Sequence, residues 1–320
     1  MSAYLEQHVT EVAGAAERIR GHVRRTPTVR TDLGPDLRLK PECFQVTGSF
    51  KPRGAFNAVL SLVERGKKPR GVIAVSSGNH AQAVALAAGT VGIPALILIP
   101  QDANPAKVAA TRALGAEVIQ DGITFANREQ RLHEVMAERG YTLVHPFDDW
   151  DVIHGQGTAV REMLEDDPEL EVIAAPCGGG GLLAGSAISA KHHNSSIQVI
   201  GVEPEVADDA YRSWKAHSIQ KLSASPTTLA DGVRTTAIGA RNFEVMFANR
   251  LVDQIVTVTE DEIARAVQVA WGRLHLALEP TGGLPLAAYL AGKLPRGRTG
   301  LLLSGGNANL QTVATLLATS

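Results

Sequence analysis

Apolar residues in the first half of the chain alternate between short runs and longer periodic stretches. Helical spacing marks about residues 4–22, and a short alternating strand follows at 37–40. Further along, buried-strand patterns and helical spacing alternate at 72–75, 81–91, 95–99, 105–114, 117–119, 128–139 and 141–144. This alternation predicts a parallel sheet covered by helices on both faces.

The same rhythm restarts in the second half of the chain. Apolar runs at 172–175, 197–202 and 300–303 predict three further strands, and the spacing at 263–278 predicts a helix. We therefore expect an α/β fold with two open, twisted, mostly parallel sheets and helices on both faces.

A chain of 320 residues is long for one core and natural for two domains. The pattern divides the chain into two α/β units. A smaller unit spans 46–143, and a larger unit combines 1–45 with 144–320. A cleft between two such units is a common place for a ligand site.

Composition excludes several classes of protein. Hydrophobic residues make up 44% and charged residues 20%, and the net charge of −2 gives no basic excess for nucleic acid. No apolar run reaches the roughly 18 residues that span a bilayer, so no membrane contact is expected. The beginning of the chain lacks a signal-peptide pattern, and Cys43 and Cys177 cannot build a disulfide framework. These features favour a reducing cytoplasm.

Two polar motifs lie where helices are expected to begin. Lys51, in Ser-Phe-Lys-Pro-Arg-Gly, could be a nucleophile if burial lowers its pKa, although most lysines are solvated surface charges. Ser76-Ser77-Gly78-Asn79-His80 follows a strand. Its hydroxyl and N–H groups could bind a carboxylate or phosphate, or could simply cap a helix.

Two glycine motifs follow strands in the second half. Gly178, Gly179, Gly180 and Gly181 would let the backbone wrap an anion at a helix start, and the pattern favours phosphate binding over a plain turn. The run of glycines matches neither the G-x-G-x-x-G motif of dinucleotide-binding proteins nor a P-loop. Ser304-Gly305-Gly306-Asn307 follows the end of a strand. This position is consistent either with a ligand crevice or with a turn that is capped by Ser304.

Together these motifs resemble one family over nearly the whole chain. The sequence is similar to the fold-type II pyridoxal-phosphate enzymes, of the tryptophan-synthase-β-like fold, in the branch of serine/threonine dehydratases, serine racemases and 3-hydroxyaspartate dehydratases. The shared motifs occur in the family's order, at 49–51, 76–80, 155–158, 178–181, 230–233, 259–262, 279–281 and 304–307.

The resemblance implies that 46–143 is a small, mobile domain on the substrate side and that 1–45 with 144–320 form the large cofactor-binding domain. It also implies a role for each matching position. Lys51 would carry pyridoxal 5'-phosphate and act as the base, with Phe50 beside the cofactor ring. Asn79 would bond the cofactor 3-hydroxyl, the four glycines its phosphate, and Ser304 its pyridine nitrogen. Glu279 belongs to the same cofactor-binding set. Substrate would be bound by Ser76, Ser77, Asn79, His80 and Arg128.

The implied reaction removes water and then ammonia from L-serine, L-threonine or 3-hydroxyaspartate. Arg128 would suit a second carboxylate or would be an exposed helix residue. Ser77 could return a proton on the face opposite Lys51, so an amino-acid racemase is the first alternative. A non-catalytic cofactor-binding protein and a β-replacement transferase are the others. We expect no isoleucine feedback domain, and a homodimer as in the family.

An acidic segment follows the strand at 197–202. Glu203, Asp209 and the Ala207 carbonyl could share a hard cation, or the segment could be a solvated loop. Serine racemase-like members bind Mg²⁺, Mn²⁺ or Ca²⁺ at this pattern, so the resemblance implies a structural or activating divalent cation.

Overall fold

The computed structural model describes residues 3–66, 68–103, 105–124 and 126–318. Its strands are β1 (Val29–Thr31), β2 (Gly34–Pro41), β3 (Val72–Val75), β4 (Ala95–Leu98), β5 (Glu117–Ile119), β6 (Thr142–Leu143), β7 (Val172–Pro176), β8 (Gln198–Pro204), β9 (Gln254–Val258) and β10 (Thr299–Leu303). Its α-helices are α1 (Ala3–Arg18), α2 (Lys51–Glu64), α3 (Asn79–Thr90), α4 (Pro105–Ala113), α5 (Arg128–Arg139), α6 (Trp150–Asp166), α7 (Gly181–His193), α8 (Asp209–Ala216), α9 (Ala240–Phe243), α10 (Glu260–Gly272), α11 (Leu284–Leu290) and α12 (Leu310–Ala318).

Short helical turns complete the connections between these elements. Those of the 3₁₀ type are Glu42–Phe44, Val46–Gly48, Asp231–Val233 and Pro280–Gly283, and a π-helical segment, Glu244–Ala248, continues α9.

Within the described residues, a six-stranded sheet has the order β1-β2-β10-β7-β8-β9 and a four-stranded sheet has the order β5-β4-β3-β6. Strand β1 pairs antiparallel with β2, and the other neighbouring strands run parallel. Apolar side chains of α1, α6 and α7 cover one face of the larger sheet, and those of α10 and α11 cover the other. The two-sheet α/β prediction is confirmed.

The N-terminal segment joins the larger sheet through β2, which pairs with β10 in the register Leu39 to Leu301. The four-stranded sheet lies within 72–143, inside the small domain expected from the sequence. The proposed domain boundaries themselves stay a prediction.

The predicted helix at 263–278 is too long. Helix α10 ends at Gly272, and His275 has a left-handed backbone with φ of 56°. Leu276 and Leu278 are nevertheless buried, so their apolar character extended the helical pattern beyond the true end.

Parallel strands bring their carboxyl ends to one edge of each sheet. Strand β3 leads into Ser76, β7 into the glycine loop and β10 into Ser304. Three of the four motifs therefore meet where the two sheets face each other.

Candidate active site

A cleft of about 880 Å³ opens between the two sheets. The structure places all of the predicted cofactor and substrate residues on its walls: Phe50, Lys51, Ser76, Ser77, Asn79, His80, Arg128, Gly178, Gly179, Gly180, Gly181, Glu279 and Ser304. The predicted metal residues lie elsewhere. Motifs separated by more than 200 residues thus form one site, although the role of each residue stays a prediction.

Lys51 is the first residue of α2. The N–H of Phe50 donates to the carbonyl of Ser304 at 3.0 Å, which ties this helix start to the end of β10. The Lys51 ammonium donates to the carbonyl of Pro146 at 2.7 Å. Because burial disfavours the charged form, the pKa of Lys51 falls to about 8, although the Glu279 carboxylate opposes the shift. A neutral amine is therefore accessible near neutral pH.

This pKa makes a testable prediction for the cofactor-free protein. Capture of pyridoxal phosphate by Lys51 requires the neutral amine, so its rate should rise with pH and level off above about 8 rather than 10.5. Glu279→Gln should lower the midpoint further, because the carboxylate favours the ammonium form. Stopped-flow absorbance measures the rate, and one that still climbs at pH 10 would contradict the assignment.

The segment from Ser76 to His80 turns from β3 into α3. The Gly78 N–H donates to Ser76 Oγ at 3.2 Å, and the helix begins at Asn79. The first N–H groups of a helix lack intrahelical acceptors and lie at the positive end of its dipole. This turn can therefore bind a carboxylate.

The His80 ring is held by a backbone carbonyl that follows β6. Its Nε2 atom is 2.8 Å from the carbonyl of Val144, so that nitrogen carries the proton. Burial, aided by the Lys51 charge, lowers the pKa of His80 to about 3 and keeps the ring neutral. The predicted carboxylate contact at His80 therefore depends on its backbone N–H.

Asn79 is fixed by two side chains from the second half of the chain. Its Nδ2 donates to Glu279 Oε1 at 2.7 Å, and its Oδ1 accepts from Asn307 Nδ2 at 2.8 Å. Burial and the nearby Asp231 carboxylate raise the pKa of Glu279 to about 7. These contacts set the orientation of the Asn79 amide, which leaves one N–H for a ligand oxygen.

The glycine loop joins β7 to α7 under close packing. A Cβ atom on Gly179 would lie 2.2 Å from Cγ of Phe147, and Gly180 has φ of 95°. The Gly179 carbonyl accepts from the Gly239 N–H at 3.0 Å and from Asn242 Nδ2 at 2.6 Å. Since the loop also starts a helix, its N–H groups form an anion site that side chains would obstruct.

Several cleft residues escaped the sequence analysis. The Ser225 and Thr235 hydroxyls are buried and lack a hydrogen-bond partner among the described residues, and both residues line the cleft. Lys107 pairs with Asp231 at 2.7 Å across the cleft. Thr235 lies two residues beyond the motif at 230–233, so the sequence did indicate that it could belong to the cleft. Nothing in the sequence around Lys107 indicated that it would.

The acidic segment forms a separate buried cluster. Glu203 accepts hydrogen bonds from the N–H groups of Ala210 and Tyr211 at 3.2 and 2.9 Å. Both Asp209 oxygens are buried without a partner among the described residues. Burial and repulsion from neighbouring carboxylates raise the pKa of both carboxyls. The described residues hold no group of three or more His, Cys, Asp or Glu side chains arranged around a metal ion.

A two-sheet α/β fold with a desolvated lysine and a glycine loop on the walls of one cleft indicates a cofactor-dependent enzyme. The family model described as "Pyridoxal-phosphate dependent enzyme" matches residues 19–305, and the chain belongs to this family. The predicted family and its pyridoxal phosphate cofactor are therefore confirmed. Among residues that the structure describes, no helix has the length and apolar character needed to cross a membrane.

Characterised relatives align over almost their full length. The chain is 40% identical over 315 residues to the L-threo-3-hydroxyaspartate ammonia-lyase of Saccharomyces cerevisiae, covering 96% of this chain and 95% of that protein. Serine racemase of Schizosaccharomyces pombe is also 40% identical over 315 residues, covering 96% of each. The solved structure of maize serine racemase matches with a TM-score of 0.89 and 37% identity, covering 97% of this chain and 96% of that one. A solved threonine deaminase matches with a TM-score of 0.88 and 45% identity, covering 94% of this chain and 98% of that one.

Proposed function

We propose that this enzyme converts a 3-hydroxy amino acid into a 2-oxo acid and ammonia by β-elimination. The observation that carries the proposal is the Lys51 amine, desolvated at the start of α2 and enclosed with the glycine loop in one cleft. The named activities of the relatives, two of which are ammonia-releasing enzymes, support the same reaction class.

The residues of the cleft fit pyridoxal phosphate. Lys51 supplies the amine that bonds its aldehyde, and the loop of Gly178 to Gly181 supplies N–H donors for its phosphate. Asn79 retains an N–H for its ring oxygen, and the Ser304 hydroxyl suits its ring nitrogen as a neutral partner. When bound, the cofactor supplies an electron-withdrawing ring that acidifies the substrate α-carbon.

The chain's own residues then carry out binding and proton transfer. The N–H groups at the start of α3 hold the substrate carboxylate, and Lys51 as a neutral amine accepts the α-proton. The C–O bond then breaks, and the departing 3-hydroxyl takes up one proton, equivalent to the α-proton that Lys51 accepted, so that it leaves as water. Hydrolysis of the released enamine, through its imine, consumes one water and gives the 2-oxo acid and ammonia.

Within this class we propose L-threo-3-hydroxyaspartate as the preferred substrate. Arg128 lies on the cleft wall, with only 30% of its side chain exposed, and Lys221 lines the same cleft. A half-buried guanidinium suits a second carboxylate. A relative with this named activity supports the choice.

Replacement of Arg128 tests the choice of substrate. Arg128→Met should raise KM for 3-hydroxyaspartate about 10- to 100-fold, because a charge-assisted hydrogen bond is lost, and should leave L-serine nearly unaffected. Arg131→Met, on the same helix but not among the residues that line the cleft, is the matched control. Equal losses on both substrates would contradict a carboxylate-binding role.

Racemisation is the second candidate function, and the position of Ser77 favours keeping it. Ser77 lines the cleft beside the start of α3. Chiral chromatography of unreacted L-serine, together with 2-oxo acid release, distinguishes the two activities. Inversion that outpaces 2-oxo acid release and disappears in Ser77→Ala would establish a racemase, whereas 2-oxo acid release without inversion would establish the lyase.

A structural divalent cation at Glu203 and Asp209 is also proposed. Two buried carboxyls, one with both oxygens unpartnered among the described residues, form an oxygen-only donor set, and hard cations such as Mg²⁺, Mn²⁺ or Ca²⁺ prefer oxygen ligands. The Ala207 carbonyl would complete the protein ligands. The cation would offset both the burial and the carboxylate repulsion that raise the two pKa values.

The cation should stabilise the protein in a pH-dependent way. Because folding raises these carboxyl pKa values, the cation-free protein should lose stability as pH rises above the ordinary carboxyl value of about 4. Millimolar Mg²⁺ or Ca²⁺ should therefore raise Tm more at pH 8 than at pH 5.5. Asp209→Asn should abolish that difference. A cation effect that is equal at both pH values or unchanged in the variant would contradict the site.

We further propose that residues 46–143 form a mobile small domain and that the enzyme is a cytoplasmic homodimer. The family resemblance supports the dimer and the compartment, and the separate four-stranded sheet supports the domain. Light scattering tests the dimer, cell fractionation tests the compartment, and hydrogen exchange with and without substrate tests the motion.

A further inference from the structure

A buried charge network lies directly behind Lys51. Arg53, two residues further along α2, is completely buried. Its Nε and Nη2 atoms donate to the two oxygens of Glu42 at 2.8 and 2.9 Å. Its Nη1 and Nη2 atoms donate to the two oxygens of Glu162 at 2.7 and 2.8 Å. One guanidinium therefore joins α2 to α6 and to the 3₁₀ turn after β2.

Two further side chains close the network. Lys40 Nζ donates to Glu162 Oε2 at 2.8 Å and to the carbonyl of Thr26 at 2.6 Å. The Thr26 hydroxyl donates to Glu42 Oε1 at 2.6 Å. Burial alone would raise the pKa of Glu42, but the Arg53 guanidinium holds it below its usual value. The positive charges of Arg53 and Lys40 thus balance the negative charges of the Glu42 and Glu162 carboxylates inside the protein.

Stability is a poor explanation for such an arrangement. Desolvating charged groups is costly, and apolar replacements of buried ion pairs are often neutral or stabilising. The network instead fixes the orientation of Arg53. A planar guanidinium that bonds one carboxylate along each of two edges can adopt only one orientation. Backbone packing adds to this: a Cβ atom on Gly155 would lie 2.5 Å from the carbonyl of Arg53, so α2 already rests directly on α6.

We propose that Arg53, held by Glu42 and Glu162, is a positioning residue that sets the rotation of the first turn of α2 and thereby aims the Lys51 amine into the cleft. Residues two apart on a helix project about 200° from each other, so the network and the cleft lie on opposite sides of this turn. A rotation of the turn would displace the Lys51 amine, which now lies 2.7 Å from the Pro146 carbonyl. The inference rests on the proposed role of Lys51.

Arg53→Lys tests the proposal, because an ammonium keeps the charge but cannot bond two carboxylates in one plane. The rate at which the cofactor-free protein captures pyridoxal phosphate should fall about 10- to 100-fold, as expected for a reacting group displaced by about 1 Å. The midpoint pH of capture should shift away from about 8. After cofactor loading, kcat should fall with little change in KM. Glu162→Gln should slow the capture of pyridoxal phosphate to a smaller extent. It replaces Arg53→Lys as the test variant if Arg53→Lys does not fold.

Arg38→Lys is the matched control. Arg38 forms another buried ion pair, with Asp167 at 2.6 Å, that does not involve α2. It should lower thermal stability and leave the rate and midpoint of capture unchanged. The proposal is overturned if Arg53→Lys captures the cofactor like the wild type, or if Arg38→Lys slows capture equally. If wild-type protein itself does not bond the cofactor at Lys51, the proposed function fails together with this inference.

Discussion

Lys51→Ala is expected to lower kcat/KM by about 10⁴-fold or more, the scale seen when a covalent catalytic group is removed. The variant loses both the amine that bonds the cofactor and the base that accepts the α-proton. Its fold should persist, because it loses only one desolvated ammonium and a bond to the Pro146 carbonyl. Steady-state kinetics and the cofactor absorbance of purified protein measure the two losses.

A second cleft lysine provides the control for Lys51. Lys221 lines the same cleft but is exposed to solvent. Lys221→Ala should keep the cofactor absorbance and most of the activity on L-serine. If Lys51→Ala retained about a hundredth of wild-type activity or more, or if Lys221→Ala lost the cofactor, Lys51 would not be the cofactor-bearing residue.

Gly179→Ala is expected to weaken binding of pyridoxal phosphate by about 10- to 100-fold, equivalent to roughly 1.4–2.8 kcal/mol. The new Cβ atom would overlap Cγ of Phe147, 2.2 Å away, so the ring or the loop must move. Overpacking of this kind typically costs about 1–3 kcal/mol in stability. Titration of the cofactor-free protein measures the affinity, and thermal unfolding measures the stability.

Two companion variants separate steric overlap from a general effect of alanine. Gly179→Ala combined with Phe147→Ala should recover part of the lost affinity, because the overlap is removed. Gly14→Ala, in α1, adds a Cβ atom that meets nothing within 4 Å and should stabilise the protein by about 0.5–1 kcal/mol. Unchanged cofactor affinity in the single variant Gly179→Ala would show that the loop does not hold the phosphate.

The sequence pattern predicted many of the secondary-structure elements, but it passed over α6. This helix contains Gly155 and Gly157, which lower helix propensity and conceal the apolar periodicity. Tertiary packing explains the glycines, since Cβ atoms there would lie 2.5 Å from the Arg53 carbonyl and 2.7 Å from that of Gly185. Asp149, whose side chain accepts from the Val152 N–H, was the local signal for the helix start.

The positions of the motifs at strand ends predicted which residues line the cleft, because parallel strands place their carboxyl ends together. They did not predict the contacts that cross between the two sheets. Nothing in the local pattern indicates that Lys107 meets Asp231 or that Asn307 reaches Asn79, since these pairs are set by the relative placement of two separate sheets. The position of the proton on the His80 ring likewise depends on the carbonyl of Val144, which is 64 residues away in the sequence.

The most direct test of the central claim is the stoichiometry of a single reaction. Wild-type protein loaded with pyridoxal phosphate is mixed with L-threo-3-hydroxyaspartate, and 2-oxo acid and ammonia are quantified over time, with Lys51→Ala as the blank. The proposed β-elimination predicts equal amounts of the two products and neither from the variant. Inverted amino acid without ammonia, or ammonia formed equally by Lys51→Ala, would contradict it.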